Sequence, residues 1–128
     1  MKVYSYDYDF SYIPSAPFVE MTIASAFSTT PISLNAFIDS GADATMIPFE
    51  VLQQLQAEEV ETRYLRTVTG KRTVVDLYRV SVQIGPYHFP SIKVVATDSN
   101  SEIILGRDVL NQLVVTLNGL AGVTEVSQ

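Results

Sequence analysis

The run Ala36-Phe37-Ile38-Asp39-Ser40-Gly41-Ala42-Asp43-Ala44-Thr45 holds the residues best suited to chemistry. An apolar strand delivers Asp39 directly into a Ser-Gly-Ala turn. Apolar flanks raise the cost of ionising a carboxylate, and the small residues after it leave room for another chain to approach. The hydroxyl of Ser40 and the backbone N–H of Gly41 are donors able to orient that carboxylate. These are the needs of an active-site acid: restricted solvent, fixed geometry and space for substrate. Taken alone, Asp-Ser-Gly after a strand reads first as an Asx turn, in which the aspartate bonds its own backbone.

Other chemistries find less support. Ser40 as a nucleophile would need His88, the one histidine of the chain, as its base. Neither Gly-x-Ser-x-Gly nor a matching acid accompanies them, and Pro86-Tyr87-His88-Phe89-Pro90 reads as an edge strand or a packed histidine. Without cysteine there is no disulfide framework, no thiolate nucleophile and no Cys-based metal site. The zinc-protease pattern His-Glu-x-x-His is missing too, and no metal is expected. Glu58, Glu59 and Glu61 follow a predicted helix and read as solvated surface.

Strands must do most of the positioning. Tyr4, Tyr6, Tyr8, Phe10 and Tyr12 alternate with polar residues, which predicts a strand with one aromatic face until Pro14 and Pro17 break it. Phe18–Phe27 and Ile32–Ile38 read as two more strands around the turn Ser28-Thr29-Thr30-Pro31. Pro48 opens a short helical stretch whose apolar face is Ile47, Val51 and Leu55. From Arg63 to Ala96 the chain favours β structure again. Gly70, in Thr69-Gly70-Lys71-Arg72, marks one hairpin tip and Gly85-Pro86 a second reversal. Ile103-Ile104-Leu105 is a short apolar run that stops at Gly106. Arg107 to Leu113 can form a helical turn or two, and Asn118-Gly119 marks a hairpin between Val114–Leu117 and Leu120–Val126.

At 128 residues, with 47% hydrophobic and 17% charged, the chain suits one compact domain with a sizeable core. The expectation is one domain over residues 1–128. No apolar stretch is long enough to cross a bilayer, and no secretory signal is visible at the N-terminus, so a cytoplasmic protein without membrane contact is expected. The net charge of −6 disfavours nucleic acid as a partner. Arg63, Arg66, Lys71, Arg72 and Arg79 cluster weakly and read as a solvated β-surface.

A second motif changes the weight of the first. Downstream of Asp39 stands Ile103-Ile104-Leu105-Gly106-Arg107-Asp108-Val109-Leu110. An apolar-Asp-Thr/Ser-Gly-Ala motif followed by apolar-apolar-Gly resembles the retropepsin family, the single-domain aspartic proteases of retroviruses and their cellular and bacterial relatives. The resemblance spans about residues 18–117. It implies a closed, mainly antiparallel, barrel-like β fold with one or two short helices, in which Ile104-Leu105-Gly106 packs beside the Asp39 turn.

It also implies an aspartic endopeptidase acting on a peptide or protein, with no cofactor, no metal and no covalent intermediate. One copy of the motif means one catalytic Asp39 per chain, hence a homodimer with two Asp39 residues facing across a two-fold axis. Ser40, Gly41 and Arg107 would support the site, Ser40 by reaching the opposite subunit. Asp43 would pair with Arg107 and touch substrate backbone. Ala42, Ala44, Met46 and Ile104 would line subsites, and Thr69, Gly70 and Lys71 would form a flap tip. That tip has one Gly where the family is glycine-rich, and Ser40 stands where Thr is usual. In retroviral enzymes both termini interleave at the dimer, which makes the N-terminal strand and C-terminal hairpin candidate interface strands. The alternative is a dimeric, peptide-binding module of the same fold that cuts weakly or not at all.

Overall fold

The computed structural model of the protein describes residues 2–128. Its elements run β1 (Tyr4–Asp7), β2 (Phe18–Ala24), β3 (Ile32–Ile38), β4 (Met46–Pro48), α1 (Phe49–Gln54), β5 (Glu58–Arg66), β6 (Arg72–Ile84), β7 (Tyr87–Thr97), β8 (Ile104–Leu105), α2 (Arg107–Leu110), β9 (Val114–Asn118) and β10 (Val123–Ser127). The fold is mainly β with two short helices.

Seven strands form one sheet in the order β2-β3-β8-β4-β7-β6-β5, and β6 also pairs with β2. That extra pairing bends the sheet into a barrel-like ring. β6 is 13 residues long, and its successive parts meet different partners. Arg72–Arg79 pair with β5, whereas Ser81–Gln83 pair with Ala24–Thr22 of β2. β7 joins β6 only from Leu77 onward. Residues 62–76 therefore project from the ring as a two-stranded arm, ending in a turn where Gly70 takes φ +83°.

The ring is not wholly antiparallel. β3–β8 and β4–β7 run parallel, each pair being joined by a long stretch of chain rather than by a hairpin. Alternation along the strands fills the interior. Val19, Met21 and Ile23 of β2 are buried, as are Val80, Val82 and Ile84 of β6 and Leu105 of β8. Leu52 and Leu55 cover one opening from α1, and Val109 packs in from α2. Each such side chain contributes about 1.5–3 kcal/mol on burial.

Several local expectations needed correction. The aromatic N-terminal strand stops at Asp7, not Tyr12. The Asp9 carboxylate accepts hydrogen bonds from Ser11 N–H and Ser11 Oγ, at 2.9 and 2.6 Å, and these turn the chain. The helix begins at Phe49, with Pro48 still the last residue of β4, and its most buried residue is Leu52. Glu58 and Glu59 are solvated as expected, and with half-exposed Glu61 they belong to the start of β5. The C-terminal hairpin turns through Gly119–Gly122, held by Ala121 N–H donating to Asn118 Oδ1 at 3.1 Å.

Both termini enter a separate three-stranded sheet, β1-β10-β9. Tyr4 lies opposite Val126 and Asp7 opposite Val123, so the N-terminal strand pairs with the C-terminal strand of its own chain.

Candidate active site

The Asp39 turn is held where β3 and β8 end side by side. Phe37 and Ile38 pair with Ile104 and Leu105, and Asp39 N–H donates to the Leu105 carbonyl at 3.1 Å. Ala42 N–H closes the turn on the Asp39 carbonyl at 3.2 Å, and Arg107 N–H reaches the Ala42 carbonyl at 2.9 Å. The two motifs therefore cross in contact. Gly106 sits at the crossing: a Cβ there would lie 2.5 Å from the Ala44 carbonyl carbon and 2.6 Å from its oxygen. Any side chain would drive the two segments apart.

Gly41 N–H donates to Asp39 Oδ1 at 2.9 Å. The Asx turn expected from the triplet is thus present, and it is compatible with a functional carboxylate. Among the described residues that is the one hydrogen bond to this carboxylate, so Oδ2 has no partner within the chain. A Cβ on Gly41 would stand 3.1 Å from Oδ1, a close contact that explains the need for a small residue. Ser40 is exposed; its carbonyl accepts from Arg107 Nη1 at 2.7 Å, and its hydroxyl has no partner among the described residues.

Arg107 grips the turn at two points, because Nη2 also pairs with Asp43 Oδ1. The guanidinium fork suits this double contact in a way an ammonium would not. Thr45 and Asp108 form a second tie that sequence reading missed. Thr45 is fully buried. Its N–H and Oγ1 donate to the two oxygens of Asp108, at 3.0 and 2.7 Å, while Oγ1 accepts from Gly106 N–H at 3.2 Å. A buried hydroxyl needs partners. The available signal was a Thr inside one apolar motif and an Asp inside the other, with no apolar role for either.

A cleft of about 370 Å³ runs beside the turn. Asp43, Ala44 and Asp108 line it together with Arg63, Tyr64 and Leu65 of β5 and Val75 and Leu77 of β6. The base of the projecting arm and the segment that follows Asp39 therefore share this cleft. Ala42 is buried under the turn, and Met46 and Ile104 pair with one another across β4 and β8; none of the three lines the cleft. Thr69, Gly70 and Lys71 are exposed at the arm's tip. His88 is exposed on β7, opposite Gln83, with no hydrogen bond to Ser40. Among the described residues no cluster of three or more His, Cys, Asp or Glu is arranged to hold a metal ion. No helix among them is long and apolar enough to cross a membrane.

A second depression, of about 290 Å³, meets the turn at Ile38 and Ser40. Its other lining residues are Leu110, Leu113, Val115 and Leu117. It is apolar and open, and the outer edge of β9 beside it is unpaired.

Fold and site together define a retropepsin-like aspartic protease architecture. The family model described as "gag-polyprotein putative aspartyl protease" matches residues 29–112, and the chain belongs to that family. Solved structures with the same fold include a retropepsin-like aspartic protease from Rickettsia conorii. It is 16% identical, has a TM-score of 0.65, and the match covers 98% of this chain and 91% of that one. EIAV protease complexed with the inhibitor HBY-793 matches at 22% identity and a TM-score of 0.55, over 76% of this chain and 86% of that one. A search of curated proteins found no match.

Proposed function

We propose that the chain is one aspartic endopeptidase domain that works as a homodimer, with Asp39 of each chain forming a catalytic pair. The observation that carries this reading is the locked Asp39 turn. It is fixed by Leu105, Ala42 and Arg107, yet its carboxylate keeps one oxygen without a partner among the described residues. A carboxylate held this firmly but left unsatisfied is suited to meet a group from outside.

The second Asp39 supplies that group. Two carboxyls in near contact cannot both ionise cheaply, so the pair shares one proton. The ionised member takes a proton from a bound water, whose oxygen attacks the scissile carbonyl carbon. The protonated member hydrogen-bonds the carbonyl oxygen as it gains charge. Collapse of the tetrahedral intermediate breaks the C–N bond, and a proton from the dyad passes to the departing amine. The titration belongs to the pair and not to either residue. Ser40, whose hydroxyl has no partner among the described residues, reaches across to the other subunit. Gly41 and Arg107 hold the turn, and Asp43 and Ala44 meet the peptide along the cleft. The 62–76 arm, a two-stranded hairpin unsupported by a third strand, serves as the flap, with Thr69, Gly70 and Lys71 at its tip.

The dimer has a natural seat. The apolar depression at Ser40 and the open edge of β9 adjoin the turn that must face the two-fold axis. Val114 and Leu117 of β9 and Leu120 beyond it are strongly exposed in the single chain. The termini are already paired within the chain, so this face rather than exchanged termini is where the second copy fits.

The test is cleavage of a proteome-derived peptide library by wild type and Asp39→Asn side by side, from about pH 3 to pH 8. Specific cuts by the wild type that vanish in Asp39→Asn, with the dimer retained by sedimentation, are expected. A wild type that cuts nothing across the range would sink the protease reading and leave a peptide-binding module.

A further inference from the structure

The cleft beside Asp43 carries both signs of charge. Its charged lining residues are Asp43, Asp108, Arg63 and Lys93. The two acids are engaged from within. Asp43 is paired with Arg107, and Asp108 accepts from Thr45 N–H, Thr45 Oγ1 and Val109 N–H.

The two cations are less fully engaged. Arg63 and Lys93 both reach one carboxylate, that of Glu61, at 2.8 and 3.0 Å. Arg79, further along β6, sits opposite Glu58 across the strand pair and lines a separate depression. Two cations that line the cleft therefore share a single acid, in a chain whose net charge is −6. Both keep donors in reserve: two of the five guanidinium N–H groups of Arg63 and one of the three of Lys93 are used. The same cleft is lined by apolar Leu65, Val75, Leu77 and Val95. Apolar lining together with two under-used cations fits a side chain with a short hydrocarbon stem and a carboxylate head.

We propose that Arg63 and Lys93 form a subsite for an acidic side chain, so that peptides carrying Glu or Asp at the one position whose side chain reaches these two cations in the cleft are preferred. This rests on the protease reading for its location but concerns recognition, not cleavage. Glu61 occupies the subsite in the free protein and holds the two cations in place for the incoming carboxylate. Because the side chains of Arg63 and Lys93 are 57% and 46% exposed, the preference is modest and weakens as salt rises.

The probes are pools of fluorescein-labelled octapeptides on a mixed apolar background, with Glu, Gln or Lys fixed at one position in turn. Binding is read by anisotropy with the full chain. At low salt, Glu should bind about three- to tenfold more tightly than Lys at one position. Lys93→Met should shrink that ratio, Lys93→Glu should reverse it, and Glu61→Gln should enlarge it. Equal binding of the Glu and Lys pools at every position, or a preference that survives the double change Arg63→Glu/Lys93→Glu, overturns the proposal. So does failure of every pool to bind. Cleavage is scored separately. Charge-selective binding without cutting would defeat the protease reading and leave this subsite standing, whereas cutting without charge selectivity would do the reverse.

Discussion

Replacing Thr45 by Val tests whether the tie between the two motifs is a hydrogen-bonding device or only packing. Valine keeps the shape of the buried side chain and removes its hydroxyl. Two consequences follow. Gly106 N–H, which donates to Thr45 Oγ1 at 3.2 Å, is left without a partner in a buried place, at about 1–3 kcal/mol. Asp108 Oδ1 loses a 2.7 Å bond from the same hydroxyl, and bonds to charged groups are worth about 1.5–3 kcal/mol. The first bond is long and Asp108 is half-buried, so both terms fall near their lower ends and the sum is about 3 kcal/mol. In a domain of this size that lowers Tm by about 10 °C. Thr45→Ser is the control, because it keeps both bonds and loses one methyl, about 1 kcal/mol. Urea unfolding followed by circular dichroism, at one protomer concentration, measures all three proteins. If Thr45→Ser costs as much as Thr45→Val, the hydroxyl is not the tie and the reasoning fails.

Three further outcomes follow from the same geometry. Gly106→Ala puts a Cβ against Ala44 backbone, so a loss of about 3 kcal/mol is expected by thermal melting, and a change under 1 kcal/mol would contradict the crossing. Arg107→Lys gives up the fork that spans Ser40 and Asp43; cleavage should fall more than about tenfold while stability changes by about 1 kcal/mol or less, since the ion pair is exposed. Hydrogen bonds from Arg63, then from Lys93, hold the Glu61 carboxyl below its ordinary pKa. What it adds to stability is therefore present above the ordinary glutamate value and lost as pH falls through the lowered one. Carboxyl NMR should find Glu61 titrating below the ordinary glutamate value, and Lys93→Ala should raise its midpoint.

Legibility varied with the range of the interactions. β3 was readable from end to end, because apolar alternation, a preceding Pro31 and a following Asp-Ser-Gly turn all bound it locally. The Gly85-Pro86 reversal was readable for the same reason, and Gly85 does take φ +56°. What escaped was mostly what depended on a partner far along the chain. Glu58 and Glu59 are the solvated acids they look like, but that they open a strand shows only once β6 pairs with them. One miss was local: the aromatic alternation past Asp7 is cut short by the Asp9–Ser11 turn, which strand periodicity does not register. The Thr45–Asp108 tie joins positions 63 apart, and nothing in either local pattern points to the other. Asp43 and Arg107 were paired through family resemblance, and the chain does bring them together. Of the residues expected to line subsites, Asp43 and Ala44 lie in the cleft of the single chain, whereas Ala42 is buried and Met46 and Ile104 pair across the sheet.

The crossing of the two motifs explains why one chain builds half a site so firmly. Gly106 brings the β8–α2 junction within contact of Ala44, Thr45 and Asp108 bind the junction from inside, and Arg107 clamps the turn from outside. Asp39 Oδ2 and the Ser40 hydroxyl have no partner among the described residues, and Ser40 is exposed. Rigid support thus holds two polar groups in place for a contact from outside, at no further ordering cost when it forms. Next to an apolar hollow and an open strand edge the arrangement makes sense, because a second copy would cover the apolar surface and meet both groups at once. On the proposed reading, folding fixes the geometry of each carboxylate and association alone gives it chemistry.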